Sequence, residues 1–69
     1  MSIRELLTER QYQILQLIAQ KKTNKKIAQQ LGLSIHTVDT HVLNIYSRLE
    51  IDERPKRKEA REMYLKEVE

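Results

Sequence analysis

The sequence predicts an all-α fold, a four-helix bundle that contains a helix-turn-helix. Three observations predict it. Apolar residues recur at spacings of three and four, and β-branched alternation is absent. One Gly and one Pro punctuate the whole chain. Gly32 and Ser34 follow a short apolar-periodic run and precede a longer one, which is the interval of a helix-turn-helix.

The first helix is expected over about residues 8–21. Thr8 and Gln11 fit a capping box, and Leu7 and Tyr12 stand where a hydrophobic staple fixes the approach of the chain. Ile14, Leu15, Ile18 and Ala19 supply a core face. The end is placed near Lys21, where a cation suits the negative end of the helix dipole.

The second helix, 24–31, is capped by Thr23 and turns Ile27, Ala28 and Leu31 inward. Gly32 ends it in a left-handed conformation. Leu33 is apolar within the turn and is expected to plug the core between two helices.

The third helix, 35–49, is capped by Ser34. At about 100° per residue, Val38, Val42, Ile45 and Leu49 share one arc and form its buried face. His36, Thr40, Leu43 and Ser47 fall opposite, flanked by Asp39 and Asn44. That outward face is small, polar and uncharged at its centre. A face built for solubility carries Lys and Glu instead, as the last helix does. The contrast points to a contact surface.

Pro55 is expected at the first position of the fourth helix, 55–68, where its missing N–H is harmless. Ala60, Tyr64 and Val68, with Met63, give that helix one narrow apolar stripe amid Lys, Arg and Glu.

Sixty-nine residues suffice for one domain, taken here as 1–69, with a modest core. There is no cysteine, so no disulfide or thiolate chemistry is available, in keeping with a cytoplasmic location. No apolar run reaches the roughly 18 residues of a membrane span, and Met1 to Leu7 lacks the pattern of a signal peptide. The net charge is +3. Its distribution says more, because Lys21, Lys22, Lys25 and Lys26 form one basic cluster and Arg54, Lys56, Arg57 and Lys58 another. Two such clusters on a small domain suit a polyanion, although solvated surfaces look the same.

The expected partner is double-stranded DNA, and the third helix is the element expected to enter the major groove. His36, Asp39, Thr40, Leu43, Asn44 and Ser47 are the base-reading candidates. Thr40 offers a methyl or a hydroxyl, Leu43 an apolar contact to a thymine methyl, Asn44 a pairing with adenine, and Asp39 an acceptor for a cytosine amino group. Phosphates fall to Thr23, Asn24 and Lys25 at the start of the second helix, where N–H groups attract anions. Thr37, Tyr46, Arg48, Arg54 and Lys56 are the further phosphate candidates.

His36 and His41 lie far apart around the helix and make no metal site; His41 reads as a satisfied structural histidine. No Ser–His–acid grouping and no room for a substrate pocket are evident, so neither an enzyme, a cofactor nor a small-molecule ligand is expected. A protein-interaction module using Leu43 and the uncharged face is the alternative. RNA binding has less support, since the chain has few aromatics to stack unpaired bases.

From about Leu7 to Arg54 the sequence resembles the LuxR-type (GerE-type) helix-turn-helix domain. The matching pieces are Leu7, Thr8 and Arg10; Asn24-Lys25-x-Ile27-Ala28; Leu31-Gly32-x-Ser34; and Thr37-Val38-x-x-His41 with Ile45, Tyr46 and Leu49. The resemblance implies a four-helix bundle whose third helix enters the major groove, in a domain that usually ends a transcription regulator. It also implies dimerisation through the fourth helix, against which the Lys/Glu-rich segment after Arg54 argues. Asp39 stands where relatives often have lysine, and Leu43 where they are commonly polar or basic, so their base preference does not transfer. The strong helix formers on the exposed faces are the pattern of an engineered derivative of such a scaffold.

Overall fold

A computed structural model describes residues 2–52 and 55–69. Among the described residues five helices follow one another: α1 (Ile3–Leu6), α2 (Glu9–Ala19), α3 (Asn24–Leu31), α4 (Ile35–Arg48) and α5 (Lys56–Val68). The four expected helices are α2 to α5, and α4 is the one expected to read DNA. The single turn α1 is an addition. Ser2 caps it by accepting from the Glu5 N–H, and Ile3 at its start and Leu7 just past its end are buried.

Caps set the helix starts. The Thr8 hydroxyl accepts from the Gln11 N–H at 3.1 Å while the Gln11 side chain accepts from the Thr8 N–H at 3.0 Å, so the capping box is complete. Thr23 and Ser34 accept from the N–H groups of Lys26 and Thr37 in the same way. Pro55, by contrast, sits one position earlier than expected. Its ψ of 117° is extended, which makes it the N-cap and leaves Lys56 to open α5.

Three helix ends share one device. The N–H of Lys22 bonds the Leu17 carbonyl, that of Leu33 the Ala28 carbonyl and that of Ile51 the Tyr46 carbonyl, each closing a Schellman turn. The residue before each donor is left-handed: Lys21 at φ 63°, Gly32 at 68° and Glu50 at 55°. This corrects the end of the first predicted helix. The helix stops at Ala19, because Lys21 leaves the right-handed region in order to close the turn.

The core gathers Ile14, Leu15, Leu17 and Ile18 of α2, Ile27 and Ala28 of α3, Val38, Val42 and Ile45 of α4 with Leu49 at its end, and Ala60 of α5. α2 is the hub and packs chiefly on α5 and α4, while α3 packs on α4. Leu33 is half-buried against the core. Tyr12 and Tyr64 meet edge to face at 5.7 Å between centroids, and Arg4 lies 4.8 Å above the Tyr12 ring, which ties α1 and α5 to α2. Val68 departs from expectation. It is 52% exposed at the last turn of α5.

His41 also departs. It is half-buried at the edge of the core, but its buried Nδ1 has no hydrogen-bond partner among the described residues. The ring is held by packing rather than by a satisfied polar contact.

Candidate nucleic-acid interface

α4 is a 14-residue helix, about 21 Å long and about 10–12 Å across with its side chains. A major groove about 12 Å wide admits such a cylinder. The packing side is fully committed, since Val38, Val42 and Ile45 are buried. The opposite side is open: His36, Asp39, Thr40, Leu43, Asn44 and Ser47 are all exposed, Leu43 by 65%. Ile35, in the first turn of α4, adds an apolar group that is 49% exposed.

Two of these side chains are already engaged. The Thr40 hydroxyl donates to the His36 carbonyl at 3.1 Å, one helical turn back. In this rotamer it offers a base its lone pairs and its methyl, and no proton. Asp39 Oδ1 accepts from Asn24 Nδ2 at 2.7 Å.

That second bond brings the start of α3 beside α4. Thr23 Oγ1 and the Thr23 carbonyl take the N–H groups of Lys26 and Ile27. The N–H groups of Asn24 and Lys25 take no partner among the described residues at the positive end of the helix, which is an arrangement that attracts phosphate. Lys25 is exposed at the same place. The side chain of Asn24 is occupied at both ends, because its Oδ1 accepts from Arg57 Nη1 at 2.7 Å. Its backbone N–H, rather than its amide, is therefore the group open to a phosphate.

The remaining phosphate candidates spread around the domain. Thr37 is half-buried, and its hydroxyl accepts from Ser34 Oγ at 2.8 Å. Tyr46 is half-buried against the core. Arg48 is exposed at the far end of α4, where its Nη1 lies 3.5 Å from the Leu6 carbonyl. Lys56 opens α5, half-buried. Arg54 lies outside the described residues.

Arg57 belongs to the second basic cluster but not to the phosphate candidates. Its Nη2 donates to the Lys22 carbonyl at 2.6 Å and its Nη1 to Asn24, so it sets the start of α5 alongside the start of α3. Within a run of Lys, Arg and Glu nothing distinguishes it from solvated neighbours.

Residues 5–57 match the family described as bacterial regulatory proteins, luxR family. The chain belongs to this family. Among its relatives is the transcriptional regulatory protein LiaR of Bacillus subtilis (strain 168), 50% identical over 50 residues, which are 72% of this chain and 24% of that protein. The response regulator protein VraR of Staphylococcus aureus (strain Mu3 / ATCC 700698) has the same identity and the same coverage. The uncharacterized response regulatory protein YgeK of Escherichia coli (strain K12) is 58% identical over 45 residues, 65% of this chain and 31% of its own length. The chain thus spans about a quarter to a third of these curated relatives. As a LuxR-family domain it carries the helix-turn-helix of transcription regulators on α3 and α4. No helix among the described residues is long and apolar enough to cross a membrane.

Proposed function

We propose that this domain binds double-stranded DNA in a sequence-specific manner, with α4 in the major groove and the start of α3 on the backbone of one strand. One observation carries the reading. The exposed face of α4 holds no Lys and no Glu among His36, Asp39, Thr40, Leu43, Asn44 and Ser47, and the open N–H groups of Asn24 and Lys25 lie next to it. Groups that read base edges are thereby separated from groups that hold phosphate.

Ser47, Asn44, Leu43, Thr40 and His36 read base edges along the groove, and Asp39 reads from the side nearest α3. Thr23, Asn24 and Lys25 fix the register on one strand. Thr37, Tyr46, Arg48, Arg54 and Lys56 extend the phosphate contacts. A monomer covers roughly 4–6 base pairs, since three or four side chains of one helix reach base edges.

Selection from a pool of randomised duplexes at moderate salt tests this reading. A short enriched motif is expected. Recovery of a sequence-blind pool sinks specific readout, and affinity that ignores both salt and sequence favours a protein partner for the Leu43 face. A palindromic motif identifies a dimer, in which the exposed Leu65 and Val68 of α5 are the apolar groups on offer.

A further inference from the structure

Asn24, Asp39 and Arg57 form one chain of hydrogen bonds across three helices. Arg57 Nη1 donates to Asn24 Oδ1 at 2.7 Å, and Asn24 Nδ2 donates to Asp39 Oδ1 at 2.7 Å. The order of this chain is fixed by chemistry. A guanidinium has donors only, so it selects the oxygen end of the Asn24 amide. The nitrogen end is then left for Asp39, and a carboxylate accepts what it offers. Arg57 is itself anchored, because Nη2 holds the Lys22 carbonyl at 2.6 Å.

The consequence falls on Asp39. A carboxylate on a DNA-facing helix is repelled by phosphates, and a free one samples several rotamers. Here Oδ1 is held, a cation stands one amide away, and Oδ2 takes no hydrogen bond from the described residues. An acceptor fixed in advance avoids the ordering cost at the moment of binding. The groups in the major groove that suit such an acceptor are the exocyclic amino groups of cytosine and adenine.

We propose that Arg57 is a positioning residue for DNA reading: through Asn24 it holds Asp39 in the orientation that accepts from an exocyclic amino group of a base. The proposal rests on the DNA-binding reading above. It assigns to α5 a part in base preference, although Arg57 itself touches no base.

The test compares the motifs enriched from a randomised duplex pool by the wild-type domain, Asp39→Ala, Arg57→Ala and Asn24→Asp, with salt titrations on the preferred duplex and circular dichroism to check folding. Asp39→Ala should lose discrimination at one base pair by about fivefold or more, the usual size of a single mismatch effect. Arg57→Ala should lose it at the same base pair, with the slope of log affinity against log salt unchanged. A double variant carrying both Asp39→Ala and Arg57→Ala should be no worse than Asp39→Ala. Should Arg57→Ala unfold, Asn24→Asp carries the test. It keeps an acceptor for Arg57 but sets a carboxylate against Asp39, so the same base pair should lose discrimination.

Three results overturn the proposal. If the wild-type domain enriches no motif, the DNA-binding reading falls and this inference with it. If a motif appears and neither Arg57→Ala nor Asn24→Asp changes it, the inference alone falls. If Arg57→Ala weakens all sequences equally and flattens the salt dependence, Arg57 is a phosphate contact and not a positioning residue.

Discussion

Both carboxylate oxygens of Glu67 accept from the backbone N–H of Ile3, at 2.8 and 3.0 Å, across a separation of 64 residues. The donor is the first amide of α1, which has no partner within its own turn. One N–H shared between two oxygens counts as about one charge-assisted bond, and its part-buried setting, with an exposed Glu67, keeps it below the full value of such a bond. Glu67→Ala should therefore cost about 0.5–1 kcal/mol. Denaturant unfolding measures the loss, and hydrogen exchange at Ile3 should accelerate. Unchanged exchange there means that α1 is held by its buried Ile3 and Leu7 and by Arg4 over Tyr12.

Ser34 bears on the reading helix directly. Its hydroxyl accepts from the Thr37 N–H at 3.0 Å and donates to Thr37 Oγ1 at 2.8 Å. Ser34→Ala removes the cap and should destabilise the domain by about 1 kcal/mol, whereas Ser34→Gly should cost only a few tenths. Because the first turn of α4 carries His36 and Thr37, DNA affinity should fall along with stability. Equal stability of the Ala and Gly variants sinks the capping account.

The distribution of these features explains what a single sequence shows. Thr8, Thr23 and Ser34 were legible as caps because the side chain and the amide it takes lie three residues apart. The two faces of α4 were legible because periodicity assigns Val38, Val42 and Ile45 to one side and Thr40, Leu43 and Ser47 to the other. α1 was not, since four residues make a single turn and a period has no room to repeat. The early stop at Ala19 was hidden because Lys21 adopts a conformation that sequence reading reserves for glycine. At the candidate interface the residue types were legible one by one. The Asn24–Asp39 and Arg57–Asn24 bonds were not, since they join positions 15 and 33 residues apart through packing.

Glu50 gives a stabilising prediction. Its φ of 55° places a β-carbon in the left-handed region, at a cost of about 1–2 kcal/mol for an L-residue. Glycine relieves that cost but gives back about 0.5–1 kcal/mol through its greater freedom in the unfolded chain. Glu50→Gly should thus raise stability by about 0.5–1 kcal/mol, read as a higher midpoint in chemical denaturation. The natural control is Gly32, at φ 68° in the equivalent turn. An added β-carbon there meets no atom within 4 Å, so Gly32→Ala should destabilise through conformation rather than collision. A stable Gly32→Ala and an unimproved Glu50→Gly together overturn the argument.

Leu43 and Lys25 should separate reading from holding. Leu43 is 65% exposed, so Leu43→Ala removes little buried surface and should shift stability by no more than about 0.5 kcal/mol. If it meets a thymine methyl, the variant should lose preference at one or two base pairs and keep the salt dependence of the parent. Lys25 is exposed beside the open N–H groups at the start of α3. Lys25→Ala should weaken all duplexes by a similar factor and reduce the slope of log affinity against log salt by about one. Binding titrations at several salt concentrations, on the preferred duplex and on a scrambled one, measure both effects. A Lys25→Ala variant that discriminates differently from the parent, or a Leu43→Ala variant that weakens both duplexes equally, reverses these roles. Reversal would mean that α4 approaches the duplex in another orientation, with the start of α3 over the groove rather than on the backbone.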